Sequence, residues 1–168
     1  LTADFAAPAR LSQVRMNPLY ARGPCWARAL AMSFYDGEDW FFQLDPHTDF
    51  DAGWDGRLIA QASSLAAGRP GFVISAYPHP FVLQDGAVVH KPTTTQALVH
   101  VLKPGATFEA DHPVLHFEAH PHASDAAVPG FHLAAGFLFA PGRLVLTLPF
   151  DRHLYFQGEE RALSVRLY

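Results

Sequence analysis

Trp40-Phe41-Phe42-Gln43-Leu44-Asp45-Pro46-His47-Thr48-Asp49-Phe50 is the stretch that decides the fold class. An apolar run of strand-forming residues delivers an Asp and a His, two positions apart, into a turn. Buried strands of α/β proteins read as near-continuous hydrophobic runs, and ligands bind beyond their carboxyl ends. Residues 40–44 are therefore expected to form a central strand with Asp45 at its carboxyl end. The carboxylate of Asp45 and the imidazole of His47 together suit borderline divalent ions such as Mn²⁺. The competing reading is a plain turn in which Asp45 hydrogen-bonds its own backbone ahead of Pro46.

Helical patterns flank this run. Pro24 precedes Ala27, Leu30, Ala31 and Phe34, which follow helical spacing over about 28–35, and Asp36-Gly37 stops them. Asp55 opens a second helical pattern over 55–66, with Leu58, Ile59, Ala62, Leu65 and Ala66 on its inward face. Gly68-Arg69-Pro70-Gly71 ends it, and Phe72-Val73-Ile74-Ser75 reads as another buried strand. Helix, strand, helix, strand is the grammar of an α/β layer. Residues 1–24 lack clear periodicity, although Val14 fits a short strand.

Residues 77–129 read as a His- and Pro-rich insertion with short apolar pieces at 87–89, 98–102 and 114–117. Periodicity leaves open whether these are short strands or irregular chain. Regularity returns at 131–140, Pro141-Gly142 turns into 144–148, and Gly158-Glu159-Glu160 leads into a closing helix with Ala162, Leu163, Val165 and Arg166. No internal repeat or strong boundary divides residues 1–168, so a single domain is expected.

Composition narrows the function classes. At 168 residues, 49% hydrophobic and 17% charged, the chain is long enough for a sizeable core and belongs with globular proteins. A net charge of −4 without any Lys/Arg cluster argues against a nucleic-acid partner. Cys25 is the only cysteine, which excludes an internal disulfide framework and cysteine-rich zinc sites. No apolar stretch reaches the roughly 18 residues of a membrane span, and no basic segment with an apolar centre opens the chain. A cytoplasmic protein is the resulting expectation.

Other residues bear chemistry. Glu159 and Glu160 open the closing helix, where carboxylates are stabilised by exposed N–H groups; simple helix-start chemistry competes with a role facing a substrate hydroxyl. His116, Glu118, His120 and His122 alternate, so on a strand they would share one face suited to Zn²⁺ or Fe²⁺, with Pro121 interrupting the run. That face carries an alternative function, a His-rich metalloprotein of cupin-like type. His153 reads as a satisfied polar residue, and the tryptophans and phenylalanines mostly as core.

Several segments in order carry a resemblance: Gly23-Pro24-Cys25-Trp26-Ala27-Arg28, Gly37-Glu38-Asp39-Trp40, Gln43-Leu44-Asp45-Pro46-His47, Gly53-Trp54-Asp55, Ala135-Gly136-Phe137, and Asp151-Arg152-His153-Leu154-Tyr155-Phe156-Gln157-Gly158-Glu159-Glu160. Over residues 23–60 and 131–168, the chain resembles the Skp1-type N-acetylglucosaminyltransferases, glycosyltransferases of the GT-A fold. It is more distantly similar to the polypeptide N-acetylgalactosaminyltransferases, which share the Asp-x-His element.

The resemblance implies a retaining glycosyltransferase that moves N-acetylglucosamine from a UDP-sugar, UDP-GlcNAc, to a hydroxyl-bearing acceptor, a protein or a glycan. Asp45 and His47 match the family's metal-binding pair, which would hold Mn²⁺ on the donor diphosphate. Glu159 and Glu160 match the segment lying near donor sugar and acceptor, and Arg28 matches an element that would support the nucleotide side. Helix packing is the competing role for Arg28. Pro46 stands where the family commonly has Ser. The implied architecture is an α/β, GT-A-like mixed sheet flanked by helices and truncated at both ends. The family's first βα units would precede residue 14, and a further metal-binding His would follow Tyr168. A non-catalytic binding module descended from a transferase is the remaining alternative.

Overall fold

The computed structural model describes residues 11–168 except 70, 93, 112, 113 and 125. Pro24 opens helix α1 (Pro24–Met32) at a position where its missing N–H is not needed. The helix stops one turn short of the apolar spacing. Ser33 caps it, its hydroxyl donating to Leu30 O at 2.7 Å, and Phe34 lies outside, partly exposed. Strand β1 (Trp40–Leu44) and helix α2 (Trp54–Ala66) follow where the sequence puts them. The strand expected at 72–75 shortens to β2 (Ile74–Ser75), and Val14 lies in irregular chain, not in a strand.

The middle segment holds four short strands. Strands β3 (Phe81–Gln84) and β4 (Ala87–His90) form a hairpin closed by Asp85-Gly86, whose φ angles of 52° and 80° suit a tight hairpin turn. Strands β5 (Ala97–Leu102) and β6 (Phe117–His122) form a second antiparallel pair. The piece expected at 114–117 is thus the approach to β6, and Pro121 sits inside that strand. It is tolerated because, among the described residues, β6 pairs on one side only, so its absent N–H removes no ladder bond on a second side. The chain finishes with β7 (Phe137–Pro141), the short helix α3 (Leu144–Thr147) and helix α4 (Glu159–Leu167).

The fold is α/β, with a change in how the sheet is assembled. Sheet order is β1-β7-β2, so β7 is the middle strand and β1 an edge. Both neighbours pair antiparallel to β7, from Trp40↔Pro141 to Leu44↔Phe137 on one side and Ile74↔Phe139 on the other. That order corrects the central placement of 40–44, and among the described residues the strand pairs of this α/β fold are all antiparallel. The apolar run of β1 reports burial on both faces, a property that parallel and antiparallel strands share.

Alternation along β7 explains the layers. Leu138 and Ala140 join Cys25, Met32, Val145, Leu148, Phe150 and Leu163, so α1, α3 and α4 cover one face. Phe139 joins Leu58 and Ala62 of α2 on the other face, with Trp40, Phe42 and Trp54 packed against them. Trp40 stacks on Phe139 at 5.3 Å and Phe50 on Trp54 at 4.2 Å, so these aromatics pack as core, whereas Phe34, Phe108, Phe131 and Phe156 are exposed. No helix among the described residues is long and apolar enough to cross a membrane.

Cys25 is fully buried between α1 and β7. Burial, then the nearby charge of Glu159, pushes its thiol above the ordinary value. The folded state binds that proton more tightly than the unfolded chain, so this contribution to stability is full at neutral pH and is lost as pH rises through the thiol's ionisation range. A disulfide reagent at neutral pH is expected to leave Cys25 unmodified in the native protein and to modify it on unfolding. Rapid modification of the native protein contradicts this burial.

Candidate active site

The ladder between β1 and β7 continues one residue past the strand, with Asp45 N–H donating to Gly136 O at 3.1 Å. The chain then turns away, and the Thr48 hydroxyl donates to the Asp45 carbonyl at 2.8 Å. Asp45 therefore emerges at the carboxyl end of β1 with its carboxylate against Gly136. A Cβ at residue 136 would lie 2.7 Å from Asp45 Oδ2, so only glycine leaves room for the carboxylate here. His47 is exposed on the turn two residues later.

Arg28 meets this carboxylate from α1. Its Nη2 is 3.5 Å from Asp45 Oδ1 and its Nη1 3.4 Å from Glu159 Oε1, while the guanidinium lies 5.3 Å from the centre of the Phe150 ring. One cation thus joins the end of β1 to the first residue of α4. Gly158, in the left-handed region at φ 82°, starts that helix and turns Glu159 inward, where it is buried.

Glu160 faces a different partner. Its Oε1 accepts the Ala135 N–H at 2.9 Å, and its Oε2 lies 3.4 Å from Arg161 Nη1 and 3.9 Å from His100 Nδ1. His100 Nδ1 donates to Leu133 O at 2.7 Å, since a carbonyl can only accept. Beside it, burial and then the charges of His100 and Arg161 lower the basicity of His132. Arg161 lies over the Phe117 ring at 4.0 Å, and burial pulls its guanidinium below the ordinary value, with Glu160 and Glu159 opposing.

These contacts converge on the segment 133–136. Leu133 N–H donates to Ser164 Oγ at 3.1 Å, Ala134 N–H to Ser75 Oγ at 2.8 Å, and Gln43 Nε2 to Ala135 O at 2.6 Å. Four separate elements fix the backbone that abuts Asp45. Sequence reasoning assigned no role to Ser164 or His100, and marked Ser75 only as part of a strand and Gln43 and Gly136 only as parts of family-like segments; their partners are remote in sequence and leave no local pattern.

Of the sequence-derived site residues, Arg28, Asp45 and Glu159 form one connected group. Glu160 borders it through Ala135, and His47 stands on the adjoining turn. Glu118, His120 and His122 do lie on β6, as their alternation suggested. Among the described residues, however, no group of three or more His, Cys, Asp or Glu side chains is arranged to hold a metal. A groove of about 200 Å³ beside Met32, Tyr35, Phe41 and Val145 is lined by none of Arg28, Asp45, His47, Glu159 or Glu160. It is mainly apolar and offers little for chemistry.

In this α/β layer a carboxylate at a strand end is thus tied through one arginine to a carboxylate at a helix start. The sequence profile of the family described as Glycosyltransferase (GlcNAc) matches residues 3–168, and the chain belongs to that family. No curated protein and no solved structure matches it.

Proposed function

We propose that the chain is a retaining glycosyltransferase that transfers N-acetylglucosamine from UDP-GlcNAc to a hydroxyl of a protein or glycan, assisted by a divalent cation. The observation that carries the reading is the Asp45 carboxylate, half-exposed at the end of β1 and given room by a glycine that any side chain would fill. Its oxygen and the exposed imidazole of His47 are a donor set suited to Mn²⁺, so the residues present fit the implied ion. Bound there, Mn²⁺ would act as a Lewis acid on the donor diphosphate and neutralise charge on the departing UDP.

The remaining roles fall to the chain's own groups. Arg28 supplies a fixed positive charge on the diphosphate side. Glu159 and Glu160 supply negative charge near the donor sugar and the acceptor. Retaining transfer builds positive charge on the sugar, so a fixed anion favours the transition state over the ground state.

Transfer from UDP-GlcNAc in the presence of Mn²⁺ tests this, with Glu160→Gln as the informative variant. Gln keeps an oxygen to accept the Ala135 N–H, so the fold and UDP affinity are expected to be retained. The catalytic rate is expected to fall at least about tenfold, or about 1.4 kcal/mol. Full turnover in a less stable variant would reduce Glu160 to a support for residues 133–136. A wild-type protein that binds UDP-GlcNAc and never releases UDP would be a binding module instead.

A further inference from the structure

Arg28 has one guanidinium and two carboxylate partners, and their surroundings differ. Glu159 is 10% exposed and Asp45 40%, with Arg28 itself at 20%. Screening by water is weak at the Glu159 end and stronger at the Asp45 end. Glu159 and the face of Phe150 therefore anchor the guanidinium, while its contact with Asp45 is the one more readily exchanged.

That contact uses Asp45 Oδ1, on a carboxylate a divalent cation would need. Guanidinium and cation cannot share the oxygen at close range without like-charge repulsion. A cation arriving alone displaces Arg28 and leaves its Nη2 without an anion. A cation arriving with a nucleoside diphosphate brings replacement oxygens for the same donor.

We infer that Arg28 is the resident counter-ion of Asp45 and makes cation binding depend on the diphosphate: it opposes the cation alone and favours the cation–diphosphate pair. This rests on the reading of Asp45 and His47 as the metal-binding pair. It makes Arg28 a positioning residue whose effect has opposite signs in the two binding steps, a pattern that plain helix packing does not produce.

The experiment is calorimetric titration with Mn²⁺, with and without UDP, on wild type, Arg28→Met, the double variant Arg28→Met/Glu159→Gln, and Asp45→Ala. Met keeps an apolar stem against Phe150 and removes the charge. The double variant avoids leaving Glu159 buried without its cation, and it preserves net charge, so competition is separated from general electrostatics. Both Arg28 variants are expected to bind Mn²⁺ alone about fivefold tighter or more, with the enhancement by UDP reduced by a similar factor. If Mn²⁺ affinity and its enhancement by UDP are unchanged in the double variant while Asp45→Ala abolishes binding, the metal pair stands and the role of Arg28 is overturned. If Mn²⁺ binds none of the proteins, or binds Asp45→Ala as it binds wild type, the metal pair itself fails and this inference fails with it.

Discussion

Gly136→Ala is expected to remove cation–UDP binding while leaving the protein folded. The added methyl would sit 2.7 Å from Asp45 Oδ2 and 3.2 Å from Asp45 Cγ. These atoms belong to the end of a half-exposed side chain that can rotate into water, so the stability lost should be small, about 1 kcal/mol or less. Binding has no such escape. A carboxylate swung off the strand end leaves the position proposed for the cation, and a displacement of that size is expected to weaken Mn²⁺–UDP binding at least about tenfold. Parallel thermal melts and calorimetry check both halves. A variant with wild-type affinity would show that the position of Asp45 against Gly136 is immaterial.

The opposite outcome is expected at Gly142. There an added Cβ meets backbone: it would lie 2.9 Å from the Glu38 carbonyl carbon, closer still to its oxygen, and 3.0 Å from Tyr35 Cε2. Gly142 N–H also donates to Asp39 O at 2.8 Å, which pins the end of β7 to the start of β1. Neither neighbour is a free side-chain tip. Gly142→Ala must force the two strand ends apart, at a cost of about 3 kcal/mol, or about 6–12 °C in Tm for a chain of this size. A melt within about 2 °C of wild type would mean that this approach is looser than described. These two outcomes together would separate a glycine that makes room for chemistry from one that makes room for the fold.

Local pattern made part of this legible. The continuous apolar run of 40–44 identified β1, the 3.6-residue period identified α2, and Gly158 marked the start of α4. Sheet order was not legible, because an apolar run records that both faces are covered and not which strand lies alongside. Phe34 misled because its spacing continues a helix that Ser33 ends. Among the candidate site residues, Arg28 came only from the family resemblance, while Asp45 and His47 could be named from type and spacing and Glu159 from its place at a helix start. The frame behind them could not: Gln43 reaches Ala135 across 92 residues and Ser75 reaches Ala134 across 59, separations without a sequence period.

The central claim is that Asp45 holds the cation on which the donor diphosphate is bound. Calorimetric titration of Mn²⁺ in the presence of UDP, comparing wild type with Asp45→Ala, addresses it most directly. Two protein ligands leave most coordination positions to water or diphosphate, so binding should be weak alone and tighten with UDP. In Asp45→Ala, the UDP-linked affinity is predicted to fall at least about tenfold, with the melting curve preserved. Unchanged Mn²⁺ affinity in Asp45→Ala, with and without UDP, would contradict the account.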